Sequence, residues 1–501
     1  MRGFNQRVSI LNVESERGRW LLFIFSVLCV KLLIFLLDPL PMFFLGDSAS
    51  YIQTAVNGWI PPDRSFTYGF IIRAVAVAVH SLTPLVTLQV FTSGINAIVV
   101  AYLLHKFFKI NSNLSFICGL LCAIEPHQLM YERYVMTEAF SLFIFVCYLT
   151  MIFHYMSKPR LRLLAAVQIT GTILISLRLS YLPLVLIYTI LVPLLIIPGL
   201  LRKYSVELRP LRNFFGSAAA VNPVIKTVTI HLLFSVLLTS AFHLGYRELN
   251  GFLTNNPPSY QYRSGTIVLT AFLPIVKPDD FPRHDISREI FGNVKYDLNV
   301  RNNRVLHHWH QGGLIDLISQ AIPDPLEADH VAGVTAFNAI KRDPVGAASV
   351  IVSTFADFWN LGFLKGSLLN DRGDRPLPKE LLETLRNSFG LQAENLPFLK
   401  TFTNSYYMDA WFWYLLLLCS PLFAFLNLFI CRTEVRSFVF VVLLSSLTVV
   451  IVSSTFVEGV TVRYLHPLGW LAFLVLGPLL DFLLLRHKKA PKQSTNTTPV
   501  S

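Results

Sequence analysis

Charge is scarce in this chain. Asp, Glu, Lys and Arg make up 14% of its 501 residues, against about 25% in soluble proteins. So few charges cannot wet the surface of a large globule, and a set of soluble domains is excluded. Disorder is excluded as well, because 53% of the residues are hydrophobic and Phe alone occurs 40 times. Cysteine is sparse. Cys29, Cys118, Cys122, Cys147, Cys419 and Cys431 lie in or beside apolar runs, and the polar stretch 246–410 has none. That leaves no disulfide framework and no CxxC pair for a thiolate zinc site. Gly-rich phosphate loops and internal repeats are missing too.

What the chain does have is apolar runs of membrane length. A spanning helix needs about 20 mainly apolar residues. The runs 20–37, 84–105, 114–131, 138–156, 163–180, 181–200, 227–245, 411–430, 437–456 and 466–485 predict ten spans. The stretch 66–83 follows Pro61-Pro62-Asp63-Arg64 and is interrupted by Arg73 and His80. It reads as a helix at the interface. The first run, 20–37, has a polar lead too long for a cleaved signal and reads as an anchor.

The net charge of +12 then acts as a topology signal. Under the ten-span reading, one set of loops collects 20 basic residues against four acids, while 246–410 holds 16 basic and 18 acidic residues. Basic residues concentrate in cytoplasmic loops. Both termini are therefore expected inside and 246–410 outside, and nucleic acid is not an expected partner. The expected architecture is an all-α polytopic membrane protein. It comprises a transmembrane module (1–245), a mainly α extracytoplasmic soluble domain (246–410), C-terminal transmembrane helices (411–486) and a disordered tail (487–501).

Ionisable residues at membrane depth default to a functional hypothesis. Asp47 follows the first span, between Gly46 and small serines. It reads either as the N-cap of a helix over Ser48–Asn57 or as a catalytic carboxylate. Glu138 opens the fourth span, where a helix dipole also favours an acid. Arg178, in Ser176-Leu177-Arg178-Leu179-Ser180-Tyr181, wants an anion or snorkels to headgroups. Glu458 and Arg463 occupy the last outer turn. Such carboxylates and guanidiniums at a lipid boundary suit a lipid-linked phosphate substrate. In His307-His308-Trp309-His310 the adjacent side chains point apart and no carboxylate completes a metal set.

These motifs resemble the GT-C superfamily of polytopic glycosyltransferases, in particular the family 39-like branch of protein O-mannosyltransferases and lipid A aminoarabinose transferases. The likeness rests on Gly46-Asp47-Ser48-Ala49-Ser50-Tyr51-Ile52, Asp63-Arg64-Ser65-Phe66-Thr67-Tyr68-Gly69 and Tyr134-Val135-Met136-Thr137-Glu138. Leu177-Arg178-Leu179-Ser180-Tyr181-Leu182-Pro183, Ile340-Lys341-Arg342-Asp343-Pro344 with Phe358-Trp359, and Val462-Arg463-Tyr464-Leu465-His466-Pro467 complete it. The resemblance implies an undecaprenyl- or dolichyl-phosphate-linked sugar donor and a glycan, lipid or protein acceptor. It also implies inverting transfer at the extracytoplasmic face, in a bacterial inner membrane. Asp47 and Glu138 match the catalytic acids, and Arg463 with Arg178 the donor-phosphate arginines. Tyr51, Glu132 and Arg64 are the matching acceptor-side candidates. The second loop lacks a paired-acid DxD and offers only Glu132 and Glu138, so a divalent metal stays open as cofactor. Two other classes also stay open. One is a lipid-linked glycan polymerase or ligase; the other is a transporter or flippase, which predicts repeats and broken helices.

Overall fold

The computed structural model describes residues 15–207, 218–363, 366, 376–396, 400–456, 459 and 461–489. Glu458 and the tail beyond 489 lie outside the described residues. Among these residues the structure is all helical apart from one isolated bridge between Met42 and Tyr134.

The first helices are α1 (Glu16–Leu37), α2 (Asp47–Asn57), α3 (Thr67–Ile72), α4 (Thr83–Lys106), α5 (Ser112–Ala123), α6 (Pro126–Tyr131), α7 (Glu138–Ser157), α8 (Leu161–Leu177) and α9 (Leu182–Leu194). Among the described residues, seven segments can cross a membrane by length and composition: Glu16–Leu37, Thr83–Lys106, Glu138–Ser157, Leu179–Arg202, Pro223–Thr254, Arg436–Thr455 and Val462–Leu484. An eighth crossing is the pair Trp411–Leu418 and Ser420–Ile430, bent by 52°.

Ten unbroken spans are therefore not found among the described residues. The run 114–131 is broken because Pro126 has no N–H to give and its ring cannot pack on the preceding turn. Glu125 caps the new start by accepting from the Gln128 N–H at 2.8 Å. Ser420-Pro421 breaks 411–430 in the same way. The run 163–180 yields α8, of 17 residues, which rises about 26 Å. The two breaks meet: the Trp413 indole N–H donates to Glu125 at 2.6 Å.

Helix α1 shows how the bundle is assembled. Its buried residues Phe23, Val27, Lys31 and Ile34 recur at helical spacing, and this stripe packs on α4 and α5. Leu22, Phe25, Leu32, Leu33 and Leu36 are exposed on the other side, as a lipid-facing surface requires. The stretch 66–83 does not span. It forms α3 and a π-helical turn, Arg73–Val77, and packs on α2. Helix Lys379–Phe389 covers this pair with Leu381, Leu385 and Phe389.

Between Ser264 and Arg342 the chain builds a separate small core around Leu269, Leu273, Phe281, Ile318 and Val331. Arg342 closes it by pairing with Asp280 at 2.8 Å. As the sequence suggests, one helix ends before Pro344 and the next starts there, Pro344–Asp357.

Candidate functional site: two acid–arginine pairs at one end of the bundle

The site is positioned by a clasp between two loops. After α1, Asp38 pairs with Arg133 at 2.7 Å, with both side chains buried. Four residues on, the Met42 N–H donates to the Arg133 carbonyl and the Val135 N–H donates back to Met42, both at 2.8 Å. Buried Gln89 holds the same stretch from beneath, donating to the carbonyls of Glu132 and Tyr134 at 2.9 and 3.0 Å. Its oxygen accepts from the Tyr68 hydroxyl of α3 at 2.7 Å. The clasp fixes the loop before α2 against the segment that opens α7.

Gly46 then sets the direction of Asp47. Its φ of 75° and ψ of −56° are γ-turn angles that strain any residue with a Cβ. The Asp47 N–H closes the turn on the Leu45 carbonyl at 2.9 Å. Gly46, not Asp47, is the N-cap of α2, and no side chain caps the helix. The N-cap reading of Asp47 is thereby corrected, because its carboxylate is engaged elsewhere.

One Asp47 oxygen lies 2.7 Å from an Arg64 nitrogen, and the other takes a short bond from Arg463. The three side chains are only 14–16% exposed, which raises the weight of the charge–charge terms. Arg463 comes from the turn Val462–Leu465 before the last helix. Its guanidinium lies 4.5 Å from the Phe44 ring centre and 5.1 Å from that of Tyr464. The second pair is adjacent. Arg178, extended at the end of α8, lies 2.9 Å from a Glu138 oxygen and 4.7 Å from the same Tyr464 ring. Tyr464 is thus shared by both guanidiniums. Tyr51 sits beneath Arg64 at 5.5 Å and meets Tyr68 edge-on at 5.0 Å.

Burial alone would raise the Asp47 pKa, but attraction to Arg463 and Arg64 outweighs it and holds the carboxyl well below the usual range. The Tyr51 phenol is pushed up to about 12 by burial, with Arg64 pulling it partly back. At neutral pH the site holds a carboxylate and a phenol that keeps its proton.

Of the sequence candidates, the structure brings together Asp47, Arg64, Tyr51, Arg463, Glu138 and Arg178. Glu132 is not among them. It is buried and paired with Lys31 of α1 at 2.7 Å. Lys31 itself was missed, although a lone lysine in an apolar run is a signal. Gln89 was missed as well, and nothing in its local sequence marks it; Tyr464 stands in the motif that holds Arg463 but was given no role. Among the described residues no group of three or more His, Cys, Asp or Glu side chains could hold a metal ion. A divalent cation does not fit Asp47 and Glu138 as they stand, since arginines already neutralise both. A narrow cleft runs from Arg178, Ser180 and Tyr464 to apolar Leu184, Val449 and Val452, between α9 and the span Arg436–Thr455.

No family model and no curated protein matches the chain. Two solved structures do, both crystal structures of ArnT from Cupriavidus metallidurans. The apo structure is 14% identical, covers 91% of this chain and 77% of that one, and has a TM-score of 0.28. The one bound to undecaprenyl phosphate is 12% identical, covers 91% and 78%, and has the same TM-score. At these scores the likeness adds no weight to the functional reading, which rests on the side chains.

Proposed function

We propose that the protein is a membrane glycosyltransferase of the GT-C type that moves a sugar from a polyprenyl-phosphate donor to an acceptor hydroxyl at the extracytoplasmic face. The observation that carries this is Asp47 held between Arg64 and Arg463, next to Glu138 with Arg178. An acid with such partners matches a reaction that needs one proton acceptor and a grip on phosphate. The acceptor O–H attacks the anomeric carbon, a new C–O bond forms there, and the bond from that carbon to the phosphate oxygen breaks with inversion. The electron pair leaves on polyprenyl phosphate, a stable anion, so no general acid is needed. The hydroxyl proton goes to Asp47.

Asp47 in its arginine clamp is a weak base, and the donor changes that. Arg463 and Arg178 turn their N–H groups to the donor phosphate, for which guanidinium geometry is suited. The pull on Asp47 weakens, burial remains, and its proton affinity rises. Tyr51 and Arg64 face the acceptor, and Glu138 orients it. The narrow cleft beside Arg178 is lined by both polar Ser180 and apolar Leu184, Val449 and Val452.

The test is to incubate purified protein with polyprenyl-phosphate sugars and measure the polyprenyl phosphate released. Transfer by the wild type and a loss of about 10²–10⁴-fold in Asp47→Asn are expected. Normal transfer by Asp47→Asn removes the base role, and no donor consumption by the wild type removes the transferase reading. A transporter or flippase gains one specific observation, the two broken helices meeting at Glu125 and Trp413, since interrupted helices frame substrate sites in transporters. Movement of a fluorescent polyprenyl phosphate between leaflets without sugar transfer would favour it.

A further inference from the structure

The helix Pro344–Asp357 lies in the stretch whose composition reads as a soluble domain, yet its surface is wrong for water. One side, Ala347, Val350 and Thr354, is buried. The opposite side presents Val345, Ala348, Val352, Ala356, Trp359 and Phe363, at steps of three or four residues. Val345 is 78% exposed and Val352 is 66% exposed. Between 344 and 363 no charged side chain is exposed, whereas a surface helix on a soluble domain turns charged and polar groups outward.

What covers this stripe follows from where the helix is docked. It packs against the membrane-crossing helix Arg436–Thr455. At its end, Phe358 is part of the main core of the bundle and Phe355 packs against it. The partner span exposes Phe440, Leu447 and Ile451, so the apolar outer surface continues from span to helix. Fourteen residues rise about 21 Å, short of the roughly 30 Å hydrocarbon core, so the helix cannot cross. Polar groups bracket it: Asp343 caps its start by accepting from Gly346, and Asp357 pairs with Arg301 at 3.0 Å near its end. Trp359 follows, a residue type favoured at lipid–water boundaries.

We infer that Pro344–Asp357 is a membrane-embedded helix whose stripe from Val345 to Phe363 rests on lipid acyl chains, seating the small core built between Ser264 and Arg342 in the leaflet nearest the candidate site. It forms an outer wall on the same span that lines the cleft with Val449 and Val452. The inference is independent of the chemistry proposed for Asp47.

The test uses the full chain with its six cysteines replaced, reconstituted in phosphatidylethanolamine–phosphatidylglycerol vesicles. Single cysteines at Val345, Val352 and Ala356, and at the exposed controls Glu327 and Lys341, carry a nitroxide. Collision rates with oxygen, which concentrates in lipid, and with a water-soluble nickel chelate are compared. The expected result is a severalfold excess of oxygen over nickel at 345, 352 and 356, reversed at 327 and 341. Free access of nickel to 345 and 352 would overturn the inference. Exclusion of both quenchers there would overturn it too, by showing protein, such as a second copy, on the stripe.

Discussion

With Arg64 on one oxygen and Arg463 on the other, Asp47 has an unusual response to pH. Its pKa in the folded protein is depressed, so the stabilisation from pairing is present above the unfolded value of about 3.9. It is lost only as pH falls through the lower folded value. Between pH 5 and 9 the donor-free protein should show no titration of Asp47. Donor phosphate draws the arginines away, so the pKa of the base rises in the complex. Because kcat/KM reports the free enzyme and kcat the complex, the acid limb of kcat should lie at higher pH than any limb of kcat/KM. Coincident limbs in the two profiles would detach the arginines from the donor. Arg463→Ala should lower kcat/KM by about 10²–10³-fold, the scale of losing one donor to a developing anion. Arg463→Lys should retain more activity, and equal activity of the two variants would remove Arg463 from the site. The acids and arginines were legible in the sequence because charge is rare there. Their pairing was not, since Asp47 and Arg463 are far apart in the chain and only the fold brings them together. The choice between cap and site at Asp47 turned on the Gly46 backbone, which residue type alone leaves open.

Individual elements hold those charges in register through two glycines. A Cβ at Gly69 of α3 would fall 2.4 Å from the Thr54 methyl of α2, so the two helices cross at a distance only glycine allows. Gly69→Ala should push α2 off α3, costing about 1–3 kcal/mol by overpacking, and should loosen Asp47 from Arg64. Thermal unfolding in detergent and donor affinity would both report it, and an unchanged protein would mean the crossing has slack. Gly46→Ala should cost about 1–3 kcal/mol of backbone strain and reduce activity more than stability, because the turn aims Asp47. Apolar runs marked the long helices correctly, since a 20-residue hydrophobic segment has few alternatives in lipid. The breaks at Pro126 and Pro421 are written in the sequence too, but an apolar run of spanning length masks a proline inside it. The helix Pro344–Asp357 is legible in its apolar spacing, but its place against lipid is hidden for the opposite reason. Being too short to span, it was averaged into a polar neighbourhood.

Across the whole molecule, the charge asymmetry and the site at one end of the bundle make one reading of orientation. Cysteines placed at Ser264 and at Lys106, at the end of α4, should react with an impermeant reagent from opposite sides of the membrane. Labelling of both from one side would overturn that orientation. A different consequence follows from the Lys31–Glu132 pair, whose members are 101 positions apart in the chain. Ribosomes add about 5–20 residues per second, so the lysine of the first helix waits about 5–20 seconds before its partner is made. During that interval it sits in lipid uncompensated, at a cost of about 2.5–3.5 kcal/mol near the bilayer centre, which the mean hydropathy of 2.7 over an 18-residue stretch of α1 is well suited to offset. The first helix can therefore enter the membrane alone but is not at rest there. Glu132→Gln should leave that waiting state permanent, seen as a first helix that inserts normally yet is trimmed by membrane proteases. Until the pair forms, α1 is a span that carries a buried lysine with its carboxylate still to come.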